Sequence, residues 1–300
     1  MMISTRLLRW YDQAGRTLPW RNTRDAYHIL VSEIMLQQTQ VQRVLIFYTR
    51  WLITFPDWTT LARATNAQVI HAWAGLGYNR RALMLRDIAR SIGESGIPQN
   101  EEEWLRFKGI GPYTAAALTV FSLHQPATPI DTNIRRVLAR VMLGIPFPDK
   151  EADHSLKTVF KNHLLRGKRF FDLPQALFDL ATMICTKKPA CAICPLRISC
   201  KSAPAFLAGT ILTPKAMHKK VKETKHRNKP YPDRIYRGRI LTQVRTHPKG
   251  ISPRRLGVLI DQEYESDRDE EWLLRMIDRL IHDQFMTLKG TRLFLKTASD

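Results

Sequence analysis

The residues that could do chemistry fall into three groups. All four cysteines of the chain lie in one short stretch, CTKKPACAICPLRISC, as Cys185, Cys191, Cys194 and Cys200 with the spacing C-x5-C-x2-C-x5-C. Four thiolates so grouped form a metal ligand set. Tetrahedral zinc and a [4Fe–4S] cluster both accept it, and spacing alone does not choose. The second group is a pair of carboxylates. Glu33 interrupts the apolar run HILVSEIML, and Asp131 precedes TNIRRVLARV. As pattern, Glu33, Gln37 and Gln40 form an i, i+4, i+7 stripe, a polar helix face turned to water, and Asp131 is a helix N-cap. The third group is the turn in FKGIGPYT, where Gly109 and Gly111 permit a tight bend at the start of an alanine-rich helix. Backbone N–H groups at such a helix N-terminus take a phosphate without reading a base.

The elements that must position these residues read as helices. From RDAYHILVSEIMLQQTQVQRVLIFYTRWL to DTNIRRVLARVML, apolar residues recur at three- and four-residue spacing, and nothing alternates as a sheet would. Three hundred residues, 44% hydrophobic and 25% charged, describe a soluble globular protein of one or two domains. The longest apolar runs are too short to cross a bilayer. The N-terminus MMISTRLLRWYDQ meets Asp12 and polar residues before a signal core forms, which gives the expectation of a cytoplasmic protein without a membrane partner. Two disulfides do not suit that compartment.

A net charge of +20 and a pI near 10.2 imply a polyanionic partner, with nucleic acid first among the candidates. The glycine turn, set between two helices in so basic a chain, is then a candidate helix-hairpin-helix. Ten basic residues against two acidic ones crowd Lys215 to Arg239, a segment with Pro214, Pro230 and Pro232 at or near it and no apolar periodicity. It reads as a solvated linker able to lie on phosphates, and its margin sets domain bounds of 1–203, 204–233 and 234–300. After it, RIYRGRILTQVRTH, SPRRLGVLIDQEY and DEEWLLRMIDRLIHDQ read as short helices. FMTLKGTRLFLK reads as a hairpin turning at Lys289-Gly290, so a winged-helix-like module is expected. Its third helix opens with Glu265, Asp267, Asp269, Glu270 and Glu271, carboxylates that suit the helix dipole but would repel DNA. That favours packing or partner binding over base reading.

Over residues 5 to 202 the chain resembles the helix-hairpin-helix DNA glycosylases, and among them the adenine DNA glycosylases of the MutY type. The resemblance rests on LPWRNTRDAYHILVSEIMLQQTQV, WAGLGYNRRA, GIGPYTAAAL, IDTNIRRVLARV and the cysteine stretch. It implies an all-α, two-lobed fold with a [4Fe–4S] cluster on the four cysteines. It also implies double-stranded DNA containing a mispair as partner, and a base flipped out between the lobes. The chain would act as a monomer associated with the nucleoid.

The resemblance also assigns roles. Glu33 would reach the flipped base as a partly desolvated carboxylic acid of raised pKa, since a purine leaves more easily once N7 is protonated. Asp131 would stabilise the cationic sugar or trap it covalently, the two-carboxylate logic of glycosidases, and Asn133 would orient the aspartate or the attacking water. Tyr113 stands where strand-cutting relatives carry a Schiff-base lysine; a phenol forms no imine, so base removal without strand cutting is expected. A packing role for Tyr113 gives the same outcome. Gln38 and Tyr78 match positions that wedge into the base stack, and Arg21 and Gln175 match base-pocket positions. Each of these four also suits a surface hydrogen-bonding role.

Three departures from the family pattern stand out. The first cysteine gap is five residues where six is usual, and Asn79 replaces the second tyrosine of the GLGYY pattern. The tail resembles that of short bacterial members, which implies an enzyme without the nucleotide-hydrolase-like domain that checks for 8-oxoguanine in the long ones. The leading expectation is excision of adenine opposite 8-oxoguanine or guanine. A mismatch thymine or uracil glycosylase of the same fold is the enzymatic rival, and a catalytically silent iron–sulfur DNA-binding protein the non-enzymatic one.

Overall fold

The computed structural model describes residues 2–163, 167–212, 214, 225–227 and 229–297. Among the described residues the chain is helical apart from one short hairpin. It runs α1 (Ile3–Ala14), α2 (Ala26–Leu36), α3 (Val41–Thr54), α4 (Trp58–Arg63), α5 (Asn66–Ala72), α6 (Arg80–Ser95), α7 (Glu101–Leu105), α8 (Pro112–Phe121), α9 (Thr132–Leu138), α10 (Asp153–His163), α11 (Leu173–Met183), α12 (Ala203–Leu207), α13 (Asp233–Thr246), α14 (Pro253–Ile260), α15 (Ser266–His282), β1 (Met286–Lys289) and β2 (Arg292–Leu295). No described helix is long and apolar enough to cross a membrane.

The chain forms two compact units. One joins Met1–Glu33 to Ile97–Lys215 and the other joins Ile34–Gly96 to Ala216–Asp300. In the first, α9 and α1 both lie against α11. Leu7, Ile134, Val137, Leu156, Phe160 and Leu177 meet in its core, each at most 1% exposed. Burying a side chain of that size is worth about 1.5–3 kcal/mol, so this cluster is what fixes the helix starts that carry function. Those starts are written locally. Asp131 caps α9 and accepts from Asn133 N and Ile134 N. Gly111 caps α8 with Pro112 in the first position, where a missing N–H costs nothing. Asn100 caps α7 through Glu103 N.

In the second unit α4 packs on α6, and Trp51 meets Trp73 edge-on at 5.3 Å. The three helices after residue 232 pack on one another, with Tyr236 edge-on to Trp272 at 4.9 Å. The hairpin joins this unit through Ala67 N, which donates to Lys296 O at 3.0 Å, and Asn66 Nδ2, which donates to Gln284 O at 2.5 Å. The register pairs Lys289 with Arg292. The two-residue turn is therefore Gly290-Thr291, one residue later than the sequence suggests, with Gly290 supplying φ +58°.

Part of the basic segment is held inside the unit, while Lys225, Arg227 and Arg234 stay exposed. Lys229 is 5% exposed and pairs with Asp261 at 2.5 Å and Asp269 at 2.7 Å. Arg227 reaches Asp269 at 2.9 Å, and His226 stacks on Trp272 while touching the same carboxylate. Arg239 lies over Tyr231 and Tyr236 and donates to Ile260 O. These cations are spent inside the unit rather than offered to phosphates. Asp269, read from sequence as part of an exposed acidic row, is fully buried at their centre. Lys215, Lys219, Lys220 and Lys222 lie outside the described residues.

Candidate active site

Glu33, Tyr113, Asp131 and Asn133 lie together in the first unit. α2 delivers Glu33 from an apolar helix, and burial pushes its carboxyl up to about 7. The Tyr113 hydroxyl donates to Glu33 and pulls the pKa back down, Asp131 nearby pushes it up, and the Arg21 guanidinium lowers it. Glu33 keeps part of its surface open even so. This is a carboxylic acid that holds its proton near neutral pH and can still reach a ligand. Tyr113 is pushed well above the ordinary phenol range, first by burial and then by Glu33 and Asp131. It therefore stays a neutral donor.

Asp131 uses its cap position to hold a second carboxylate in place. One oxygen accepts from Asn133 N at 2.9 Å and Ile134 N at 2.7 Å, and the other accepts from Asn133 Nδ2 at 2.7 Å. Asn133 is itself oriented, because Arg136 donates to its Oδ1 at 3.2 Å. Arg136 also donates to Ala181 O and to Cys185 O, so it ties the aspartate's partner to the cysteine loop.

Arg21 is placed as a support. Its Nη1 and Nη2 grip both oxygens of Asp179 at 2.7 and 2.8 Å, and Nη1 also reaches Arg16 O. Asp179 is fully buried and takes two more bonds from Arg16; against the cost of burial, Arg21 first and then Arg16 hold its pKa below the usual carboxylate range. Arg21 and Gln175 line a cavity of about 260 Å³ with Trp20, Phe121, His124 and Phe171. His124 stacks on Phe171 at 4.5 Å. Asn22, Thr23, Arg24 and Asp172 complete the lining, so the cavity pairs three aromatic rings with a mostly polar and charged wall.

All four cysteines, together with Val137, Leu180 and Phe206, line one cavity. Burial raises the thiols of Cys191 and Cys200 and takes Cys194 up to about 11, so thiolates here need a cation beside them. Arg140, 1% exposed, donates to Cys185 Sγ at 3.5 Å and Thr186 O at 2.6 Å, with its guanidinium over the Phe206 ring at 4.7 Å. Among the described residues, no three His, Cys, Asp or Glu side chains gather around a single ion position.

Gln38 and Tyr78 belong to the second unit and share an unusual backbone. Both sit in the left-handed region, at φ +55° and +49°, and both are exposed. Such conformations cost non-glycine residues about 1–3 kcal/mol and persist only where neighbours impose them. The neighbour is Arg81. It donates to Ile34 O, Met35 O and Gln37 O on one side and to Gly77 O on the other, and stacks on Tyr78 and Trp73. Of the two turn glycines, only Gly109 needs its freedom, at φ +95°. Gly111 has ordinary backbone but faces open space, leaving room for a phosphate to approach the start of α8.

A family model described as "HhH-GPD superfamily base excision DNA repair protein" matches residues 31–161. The protein named adenine DNA glycosylase in Mycolicibacterium smegmatis is 37% identical over 211 residues, covering 68% of this chain and 71% of that protein. The chain belongs to the adenine DNA glycosylase family. A second adenine DNA glycosylase, from Schizosaccharomyces pombe, is 34% identical over 220 residues. That match covers 65% of this chain and 48% of the yeast protein, so the chain spans about half the length of that relative. Among solved structures, a thermostable thymine-DNA glycosylase superposes with TM-score 0.62 at 26% identity, covering 67% of this chain and 94% of that one.

As a member of the adenine DNA glycosylase family, the chain carries Glu33, Gln38, Tyr78, Gly109, Gly111, Tyr113, Asp131 and Asn133 inside the matched segment, with Arg21, Gln175 and the cysteines outside it. Sequence reasoning missed Tyr11, Arg81, Arg136, Arg140 and Asp179. A signal existed for three of them: Asp179 is the one acid in the apolar stretch LPQALFDLATMI, and Arg136 and Arg140 recur at i, i+4 within IRRVLARVML. Nothing in the sequence names their partners.

Proposed function

We propose that this chain is a monofunctional DNA glycosylase that hydrolyses the N-glycosidic bond of adenine mispaired with 8-oxoguanine or guanine. The observation that carries the reading is the pairing of a protonated acid with a braced carboxylate: Glu33 lifted to about 7, and Asp131 held by three N–H donors. Glu33 protonates the leaving purine, Asp131 faces the positive charge that develops on the sugar, and Asn133 fixes the aspartate. Tyr113 holds Glu33 by a hydrogen bond and offers no amine for strand cutting. Gly109 and Gly111 open α8 toward a backbone phosphate, and Gln38 and Tyr78 fill the gap left in the stack. The names of the relatives supply adenine.

The four cysteines fit a [4Fe–4S] cluster, since all four line one cavity in which, among the described residues, Arg140 carries the charge. Bound there, the cluster would supply the cation their thiolates need and brace the loop beside Arg136. Residues 1–203 then form the glycosylase domain and 234–300 a winged-helix-like module packed for stability or for a partner.

A second reading, thymine or uracil excision, is favoured by the structural likeness to the thymine-DNA glycosylase. Single-turnover assays on duplexes with A opposite 8-oxoguanine, A opposite G, T opposite G and U opposite G decide between them, each split with and without hot alkali. Adenine release that needs alkali for strand breakage is expected. Thymine or uracil release alone overturns the substrate. Binding without any release, unchanged by Asp131→Asn, makes the chain a silent binder.

A further inference from the structure

We infer that Tyr11 fixes which end of the Gln175 amide faces the cavity, and that it thereby makes Gln175 an N–H donor to the bound base. The inference rests on the adenine reading above, but its geometry is independent of it. A glutamine amide has an accepting oxygen and a donating nitrogen of nearly equal size, and its direction follows from its partners. Here the partners form a one-way chain. Asp179 is fully buried and accepts only. Arg21, gripped by both of its oxygens, donates only. The next group along is the Tyr11 hydroxyl, 3.5 Å from Arg21 Nη1, with the guanidinium lying over the Tyr11 ring at 5.8 Å.

A phenol facing a donor-only neighbour must turn its proton elsewhere. The Gln175 side chain is 2.9 Å away and accepts it through Oε1. Tyr11 comes from α1 and Gln175 from the first turn of α11, two helices packed against each other, so the geometry is set by the core rather than by a loop. With Oε1 turned to Tyr11, Nε2 is the donor left for the cavity that Gln175 lines with Trp20, Arg21, Phe121, Phe171 and Asp172. Its match on adenine is a ring nitrogen and not the exocyclic amine, which is itself a donor. Tyr11 is thus a positioning residue acting through Gln175.

The test is a double-mutant cycle with Tyr11→Phe and Gln175→Leu, read by single-turnover excision and by thermal unfolding. Losing one neutral hydrogen bond predicts about a fivefold slower adenine release for Tyr11→Phe, and no further loss when Gln175 is already leucine. Independent, multiplying losses overturn the inference, as does a Tyr11→Phe rate equal to wild type.

A substrate series reads the polarity directly. The Tyr11→Phe deficit should persist on purine lacking the amine and vanish on 1-deaza- or 3-deazaadenine, where the accepting ring nitrogen is gone. A deficit that vanishes on the amine-free purine instead reverses the assignment and refutes it. If wild type releases no adenine, the functional reading fails separately. The unfolding cycle then still reports whether Tyr11 and Gln175 are coupled, and additive unfolding effects sink the relay.

Discussion

The Glu33 carboxyl should make the protein less stable above neutral pH, in return for its acid. Its ordinary pKa of 4.5 is carried to about 7 in the fold. Below pH 4.5 both folded and unfolded chains hold the proton, so nothing is lost. As pH rises further, the unfolded chain ionises first and stability falls, reaching its floor once pH passes about 7. The full shift corresponds to about 3 kcal/mol. Glu33 keeps some exposed surface, and water relaxing around the ionised carboxylate brings the expected loss to about 2 kcal/mol. Glu33→Gln has no proton to lose. It should unfold a few degrees higher than wild type at pH 8.5 and close to wild type at pH 4.5, while excision falls by about a hundredfold or more, within the range of a lost general acid. The wild-type excision rate should itself decline above pH ~7, and Tyr113→Phe should move that decline to higher pH, since the lost hydrogen bond had favoured the carboxylate. A variant that gains no stability at high pH, joined to a wild-type profile flat from pH 5.5 to 8.5, would falsify the assignment of Glu33 as the acid.

Other consequences can be measured directly. Tyr113→Lys places an amine beside Asp131 and should yield a borohydride-trapped DNA adduct about tenfold above the wild-type background; no adduct argues against that position facing the sugar. Arg81→Met removes the donors that hold the backbone at Gln38 and Tyr78. It should weaken binding to mispaired DNA by about tenfold, with an unfolding temperature only modestly lower, and unchanged affinity counts against the wedge. Asp269→Asn leaves Lys229 short of one of its two carboxylates. Both groups are buried, so a loss of about 3 kcal/mol is expected by denaturant unfolding. Cys194→Ala should abolish the visible absorbance of the purified protein. Colourless wild-type protein containing zinc would replace the cluster with a single ion.

The sequence carried local instructions well and long-range partners poorly. The cap at Asp131, the turn at Gly109 and the apolar periodicities each depend on a few neighbouring residues, and the helices begin where those signals lie. Charge was where local reading failed. Counting Arg227, Lys229 and Arg239 among free cations treats each as solvated, but Asp261 and Asp269 arrive more than thirty residues later and neutralise the first two from within the fold. Asp269 read as repulsive to DNA for the same reason.

The same limit shapes how the site itself became visible. Glu33 looked like one third of a polar stripe, because periodicity registers that a residue is polar and not what surrounds it. Its acid chemistry comes from burial by the fold, which Tyr113, eighty residues away, and a guanidinium that Asp179 holds in place only partly offset. Arg21, Arg81 and Arg136 share one device: each is a donor-only group that aims at acceptors from separate segments and so gives direction to what it touches. Arg136 makes Asn133 donate to Asp131, and Arg21 makes Tyr11 donate to Gln175. In both cases an arginine sets the polarity of the amide or hydroxyl next along the chain of hydrogen bonds. If that logic holds, exchanging Arg136 for lysine keeps the charge but loses the fork that spans Asn133, Ala181 and Cys185. The expected signature is slower base release with unchanged mispair affinity, whereas a loss of affinity equal to the loss of rate would mean that Arg136 merely holds the fold together.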